Sequence, residues 1–412
     1  MPDLNRRTFL AQSTAAAASW SLLGRLAHAQ PAPPDGPLPA AVIGAGRQGR
    51  NILGELQKLE AVKVAAICDV DERRLRSGQR RAAEAEAFDD HRRLLDERPD
   101  IQLIFIATPT HLHREVAVDA LQAGRHVYCE APLAHTVEDA RAIVEASRSA
   151  KGVFQTGFQA RSNPIYDLAR SFYRSDAIRD LVGMRAQHHR KTTWRSPARD
   201  PQREKALNWR LDPERSLGLA GEFGSHQFDV VHWYLEQYPT RIAGMGGVMH
   251  HRDGREVYDT VGLELLFPDR KLLQYHATIA NSFEGTYEVF FGSNSAIKLA
   301  WTAGWMFKEA DAPTQGWEVY ANRQQFHNDE GITLIADATQ LAAQGRLKEG
   351  VGLPNPPLWY ALSDFLTSVI EEQPPTCSAA EGYRTTVVGI LANQAVRSSE
   401  AVDVDPALLR AG

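Results

Sequence analysis

The spacing of apolar positions changes character partway along the chain. From residue 38 to about 157, short continuous apolar runs alternate with helical patterns. The runs are "AAVIGAG", "VKVAAICDV", "IQLIFIAT" and "HVYCEA". Between them stand "RNILGELQKL", the charged "RRLRSGQRRAAEAEAF" and "HREVAVDALQAG", where Val116, Ala120 and Leu121 recur at helical spacing. Runs of this length alternating with helices predict a parallel sheet covered on both faces. Farther on, "YDTVGLELLFPDRKLLQYHATIA" and "GTYEVFFGSNSAIKLAW" alternate with a period of two and carry turn residues. They predict antiparallel strands in an open sheet. "HHRKTTW" is placed on an early strand of this second region, and "ALSDFLTSVIEE" and "YRTTVVGILANQAVRSSE" predict closing helices. A charged, Gln-rich stretch from about 305 to 350 is poorly periodic and is expected to be loop or insertion. The predicted fold is α/β: a doubly wound parallel domain over 38–157, then an α/β domain over 158–412 with an open, mainly antiparallel sheet. The last helices can pack back on the first domain.

The N-terminus stands outside this pattern. "LNRRTFL" places Arg6-Arg7 ahead of an Ala-rich apolar stretch, and Ala27-His28-Ala29 fits a small-x-small cleavage site. Residues 1–29 are therefore expected to be a twin-arginine export signal, and 30–37 a Pro-rich tether. The apolar part is too short to span a bilayer securely, so no membrane attachment is expected after cleavage. A periplasmic or otherwise exported protein follows from this. Among the 412 residues the formal net charge is −5, so nothing marks a nucleic-acid footprint. Cys68, Cys129 and Cys377 are widely scattered and are expected to be buried apolar thiols. His188-His189 and His250-His251 are adjacent pairs, whose side chains point apart on a strand, so no metal site is expected.

"VIGAGRQGRNIL" sets Gly44-x-Gly46-x-x-Gly49 between a predicted strand and a predicted helix. Gly44 permits the tight turn, Gly46 lets a pyrophosphate approach the backbone, and Gly49 lets helix and strand pack closely. With Ala45, Arg47 and Gln48 the turn offers backbone N–H groups and a helix N-terminus to the phosphates. A second strand ends at Asp69, 23 residues beyond Gly46, where an acid binds ribose hydroxyls. A 2′-phosphate would be repelled there, which favours NAD over NADP, although Arg73 and Arg74 lie nearby. Thr108-Pro109 breaks another strand at its carboxyl end, where an open parallel sheet places ligands. Thr108, Pro109 and His113 are therefore cofactor-contact candidates, with helix capping as the alternative for His113.

Together "VIGAGRQG", "CDVD", "ATPTHLHREVAVDALQAGRHVYCEAPLA" and "GLAGEFGSHQFDVVHWYL" resemble the Gfo/Idh/MocA oxidoreductases. The resemblance covers most of the chain after the signal. It implies a Rossmann domain followed by an α/β domain whose open sheet faces the nicotinamide, and oxidation or reduction of sugar and cyclitol carbons. It also implies a homo-oligomer. The family signature Glu-Lys-Pro reads Glu130-Ala131-Pro132 here, so the family's catalytic Lys has no counterpart at that position. The second signature reads Glu222-Phe-Gly224-Ser-His226-Gln-Phe-Asp229, with Glu222 in place of an Asp. His226 matches the catalytic His of the family. Trp209 and Arg210 stand where family members touch the cofactor.

Hydride transfer from a carbinol carbon needs a base for the hydroxyl proton, and His226 is suited to accept one. On a helix Glu222 and His226 share a face, as do His226 and Asp229. Glu222 and Asp229 are therefore expected to orient the imidazole and raise its pKa. Lys191 and Arg161 are candidates for the cation that Ala131 lacks. Arg161 and His189 are candidate substrate contacts. Three readings follow. The first is an NAD-dependent oxidoreductase on a sugar or polyol, with tightly held cofactor suited to an exported protein. The second is a glycosidase that oxidises a ring hydroxyl transiently, and the third is a binding protein that lost catalysis with its Lys.

Overall fold

The computed structural model describes residues 36–314, 318, 322–326, 329–335 and 352–411. Residues 1–35, where the export signal and most of the tether are expected, lie outside them. Six parallel strands form the first sheet: β1 (Leu38–Ile43), β2 (Val62–Cys68), β3 (Glu86–Phe88), β4 (Leu103–Ile106), β5 (His126–Cys129) and β6 (Phe154–Thr156). Their order is β3-β2-β1-β4-β5-β6. Strand order reverses between β1 and β4, which opens a crevice at their carboxyl ends. Helices α1 (Arg47–Leu56), α2 (Glu72–Gln79), α3 (His91–Glu97), α4 (His113–Gln122) and α5 (Val137–Ser149) cover the sheet. α5 starts where Thr136 accepts from the Asp139 N–H at 3.1 Å. The charged segment after β2 is not one helix. It ends at Gln79, and Glu86–Phe88 becomes an edge strand paired with Ala66–Cys68. Burying Phe88 outweighs the helix preference of the Ala/Glu run, as tertiary packing commonly does.

The second sheet has ten strands in the order β14-β15-β13-β12-β11-β7-β10-β9-β8-β16. They are β7 (Leu181–His189), β8 (Arg241–Gly247), β9 (Thr260–Leu266), β10 (Leu272–Thr278), β11 (Thr286–Gly292), β12 (Ser295–Ala300), β13 (Ala303–Lys308), β14 (Asn322–Phe326), β15 (Asp329–Thr333) and β16 (Val402–Asp403). All neighbours are antiparallel except β7 and β10. The loop expected from 305 onward is partly sheet, because β13, β14 and β15 lie there. Met306 and Ile332 pair across β13 and β15 and are buried, a core contribution too short to show as a period. Residues 336–351 are outside the described set. β7 stops at His189, so Lys191 and Trp194 lie on the segment that follows it.

Helices α8 (Gly218–Glu222), α9 (Gly224–Leu235) and α11 (Ala379–Ser398) pack on the inner face of this sheet, with α6 (Pro164–Arg174) beside them. α10 (Pro357–Ile370) crosses back to the first domain. Its Leu362, Phe365 and Leu366 are buried with Val42, Phe105 and Tyr128. The Phe365 ring meets Phe105 edge-on at 5.5 Å and Tyr128 at 5.9 Å. Each such side chain stabilises by about 1.5–3 kcal/mol when fully buried. The two domains therefore share a core, and the crevice lies between walls fixed to one another. Cys68, Cys129 and Cys377 are buried free thiols. No helix among the described residues is long and apolar enough to cross a membrane.

Candidate active site

The first wall is made largely of backbone. Gly44 has φ +97°, and a Cβ there would stand 2.6 Å from the Ala107 carbonyl. A Cβ on Gly49 would stand 1.7 Å from the Gly44 oxygen. Gly46 differs, since the nearest atom to its Cβ position is an Arg74 guanidinium nitrogen at 3.9 Å. The turn is closed on its inner side and open on its outer side, in front of the α1 N-terminus. That opening fits a pyrophosphate. Ala45 N–H donates to Asp69 Oδ2 at 2.7 Å, and Asp71 N–H donates to Asp69 Oδ1 at 2.8 Å. Asp69 thus holds the turn in shape, and its oxygens retain acceptor capacity for ribose hydroxyls. Burial raises its pKa against those two N–H bonds. Arg50 reaches back to the Ala45 carbonyl at 2.9 Å, within electrostatic range of Arg47 and Arg74. The turn therefore has a cationic rim suited to a dinucleotide's phosphates.

At the β4 and β5 edge, Thr108 Oγ1 is buried and has no protein partner among the described residues. Pro109 precedes a short turn, Thr110–Leu112. His113 is fully inside, with its two ring nitrogens 3.0 Å from the carbonyl oxygens of Thr108 and Pro132. It ties the ends of β4 and β5 together, and so does not face a cofactor as expected. Burial lowers its pKa to about 4, against the pull of the carbonyls that face both ring nitrogens. Glu130 is buried, and its Oε1 accepts from Gln48 Nε2 at 2.9 Å. That bond joins the Gly-rich turn to the Glu-Ala-Pro edge. Burial pushes the Glu130 carboxyl up to about 7, with the Gln48 bond opposing. Gly157 lies against it, where a Cβ would be 3.0 Å from Glu130 Cα. Ala131 is half-buried, and its bond to Pro132 is cis.

The second wall carries ionisable side chains. The helix breaks at Phe223, so Glu222 ends α8 and His226 lies in the first turn of α9. The expected Glu222–His226–Asp229 constellation does not form. Glu222 is buried, 3.6 Å from Arg210 Nε, and accepts from Thr110 Oγ1 at 3.2 Å and from the Leu217 N–H at 3.4 Å. Asp229 is wholly buried and takes a bidentate bond from Arg161, at 2.8 and 2.9 Å, plus Thr385 Oγ1 at 3.0 Å. Arg161 also contacts Glu381. Burial works against the Arg161 charge, yet Asp229 outweighs it and the guanidinium pKa rises. Arg161 is thus locked to Asp229 and Glu381 inside the second domain and is free neither for substrate nor for replacing the family Lys.

His226 is half-buried, with its ring edge-on to Phe158 at 5.5 Å. Phe158 follows Gly157, which lies on Glu130, so the imidazole stands beside the Rossmann edge. No hydrogen bond engages this ring among the described residues. Its pKa is not raised as expected. Burial lowers it to about 4, and the nearby Asp229 charge offsets only part of that. Lys191 is exposed, and its backbone N–H donates to Ser282 Oγ at 2.7 Å. His189 faces the outer side of the sheet, 2.6 Å from His276 Nδ1 and 3.1 Å from the Phe283 carbonyl. Among the described residues neither bonds to His226.

The inward member of that pair is His188, stacked on Phe223 with ring centroids 3.9 Å apart. Burial lowers it to about 3, with His226 adding to the shift. Strand parity was the available signal, since Met184 and Ala186 are buried on the same face. Trp209 is buried, and Arg210 lies over its ring at 4.3 Å while remaining 42% exposed. Thr110, Phe158 and His188 belong to the site and left no motif in the sequence.

A dinucleotide turn facing an open sheet across a fixed crevice defines a two-domain, Rossmann-type nucleotide-binding protein. The chain belongs to the Gfo/Idh/MocA oxidoreductase family. Its model "Oxidoreductase family, NAD-binding Rossmann fold" matches residues 38–158, and the GFO/IDH/MocA C-terminal domain matches 166–297. A levoglucosan dehydrogenase of Pseudarthrobacter phenanthrenivorans is 31% identical over 150 residues, 36% of each protein's length. The chain thus spans about a third of that relative. A myo-inositol 2-dehydrogenase of Thermotoga maritima is 23% identical over 88% of this chain and 98% of that enzyme. The structure of levoglucosan dehydrogenase with NADH and L-sorbose shares the fold, with a TM-score of 0.70 at 19% identity. It covers 89% of this chain and 99% of the other.

Proposed function

We propose that this protein is an NAD(H)-dependent oxidoreductase acting on a secondary hydroxyl of a sugar or polyol, with the nucleotide retained between turnovers. His226 carries this reading. It is a neutral imidazole, unengaged by hydrogen bonds, beside the edge that the dinucleotide turn serves. NAD(H) supplies the hydride acceptor or donor when bound. The Gly44–Gly49 turn, Arg47 and Asp69 would hold it, with Thr108 and Arg210 at the crevice. In the oxidative direction His226 takes the hydroxyl proton, and in the reductive direction it returns one. Ala131 cannot do this, Lys191 is exposed and Arg161 is locked to Asp229, which supports His226 as the acceptor. Named relatives act on levoglucosan and inositol, which supports a carbohydrate substrate here. Arg6-Arg7 and the Ala-rich stretch behind them support export with the cofactor already bound.

The test begins with NADH binding to the purified protein. Free sugars, polyols and p-nitrophenyl glycosides are then screened in parallel. Net NADH from a free sugar or polyol is the expected result. Glycoside hydrolysis without net NADH would replace it with the closed-cycle glycosidase. Absence of nucleotide binding would overturn both.

A further inference from the structure

Residues 190–208 leave the second sheet after β7 and cross toward the first domain. The base of this segment is anchored to its own domain. Arg255 Nη2 donates to the Thr193 carbonyl at 2.8 Å, and Arg195 Nε donates to Asp253 Oδ2 at 2.8 Å. Ser196 and Asn208 exchange two hydrogen bonds, at 2.6 and 3.1 Å. The tip is different. It is a short helix, α7 (Pro201–Leu207), that buries none of its residues. Among the described residues, its hydrogen bonds to the first domain come from Arg203. Nε donates to Asp71 Oδ2 at 2.5 Å and Nη2 to Oδ1 at 3.3 Å.

The tip of the segment and its first residue both lie beside the dinucleotide turn. Asp71 lies two residues beyond Asp69 and caps α2, accepting from the Arg74 N–H at 3.0 Å. At the other end, Arg190 is close enough to Arg47 to help lower its pKa, after burial. Arg47 directly follows Gly46. The segment therefore spans the open side of the turn, from the phosphate end to the ribose end. An unpaired Asp71 would also repel the phosphates, so Arg203 removes a charge that opposes binding.

We propose that Arg203 and Asp71 form a clasp that holds residues 190–208 across the dinucleotide cleft and slows release of bound NAD(H). This rests on the NAD(H) reading above and supplies its means of retention. The strap opens when one partly exposed ion pair breaks, because no residue of α7 is fully buried beneath it. Release is then governed by that pair.

The mature protein loaded with NADH is mixed with excess NAD⁺, and release is followed by nucleotide fluorescence. Arg203→Ala is expected to release NADH about tenfold faster, in line with the loss of a charge-assisted hydrogen bond. Arg203→Lys keeps the charge without the planar fork and falls between the two. Added salt speeds release from the wild type more than from Arg203→Ala, where the phosphate contacts alone remain to be screened. The thermal midpoint of the nucleotide-free protein stays the same, because α7 buries nothing. Equal release rates, or an equal salt response in both proteins, overturn the clasp and leave the cofactor reading intact. A wild type that binds no NADH overturns both.

Discussion

The two walls of the crevice are fixed by different physics. The Rossmann wall is steric, because Gly44 and Gly49 leave no room for a Cβ and the backbone can take one path. The facing wall is electrostatic, because Arg161, Asp229, Glu222 and Arg210 are buried or half-buried charges paired with one another. His226 sits among those pairs without joining one by a hydrogen bond. Where space fixes the site, a single methyl group should destroy it. Where charge fixes it, damage should separate into loss of stability and loss of chemistry.

The sharpest way to break the contrast is Gly49→Ala. Its Cβ would overlap the Gly44 oxygen at 1.7 Å, so the turn must move. NADH binding measured by fluorescence titration should weaken by ~100-fold or more, from about 3 kcal/mol of strain. Binding within a few-fold of wild type would show that the turn is not the cradle.

Asp229→Asn tests the other wall. It leaves the buried Arg161 charge without its bidentate partner, and removing one member of such a pair costs about 3–5 kcal/mol. Urea unfolding should show that loss. If Asp229 instead oriented His226, stability would hold and activity alone would fall.

His226→Ala should lower kcat by ~10²–10⁴-fold, the range for general acid–base groups, with NADH affinity unchanged. The pH profile adds the sign. Burial takes the imidazole from 6.5 down to about 4, so it stays a neutral acceptor well below pH 6.5. Oxidation rates should therefore fall as pH drops through about 4, and should not break near 6.5. A limb near 6.5 in kcat would mean that the imidazole is ordinarily solvated in the working enzyme.

The same contrast decides what was legible in the sequence. The Gly44–Gly49 turn, Asp69 and the alternation of strands could be read because they depend on local chain geometry, and one motif contains all their partners. His226 was legible through the family signature. Its neighbours were not, because Glu222 is taken by Arg210, Thr110 and the Leu217 N–H instead of the imidazole. Asp229 found Arg161, 68 residues earlier, and Thr385, 156 residues later. No spacing rule reaches that far. His189 in place of His188 was a different failure, since the buried Met184 and Ala186 already marked which parity faces inward. Arg203 carried no motif because its meaning depends on where the strap lands.

Ala131→Lys is expected to have the smallest effect and bears most directly on where the proton goes. The family's Lys stands at this position, beside Glu130, whose carboxyl burial has raised to about 7. A new ammonium there would stabilise the carboxylate and lower that pKa. If His226 already accepts the hydroxyl proton, a second acceptor adds little, and kcat should change by less than about tenfold. A gain of ~10²-fold or more would show that the natural chain lacks its base, and that His226 is a packed core residue.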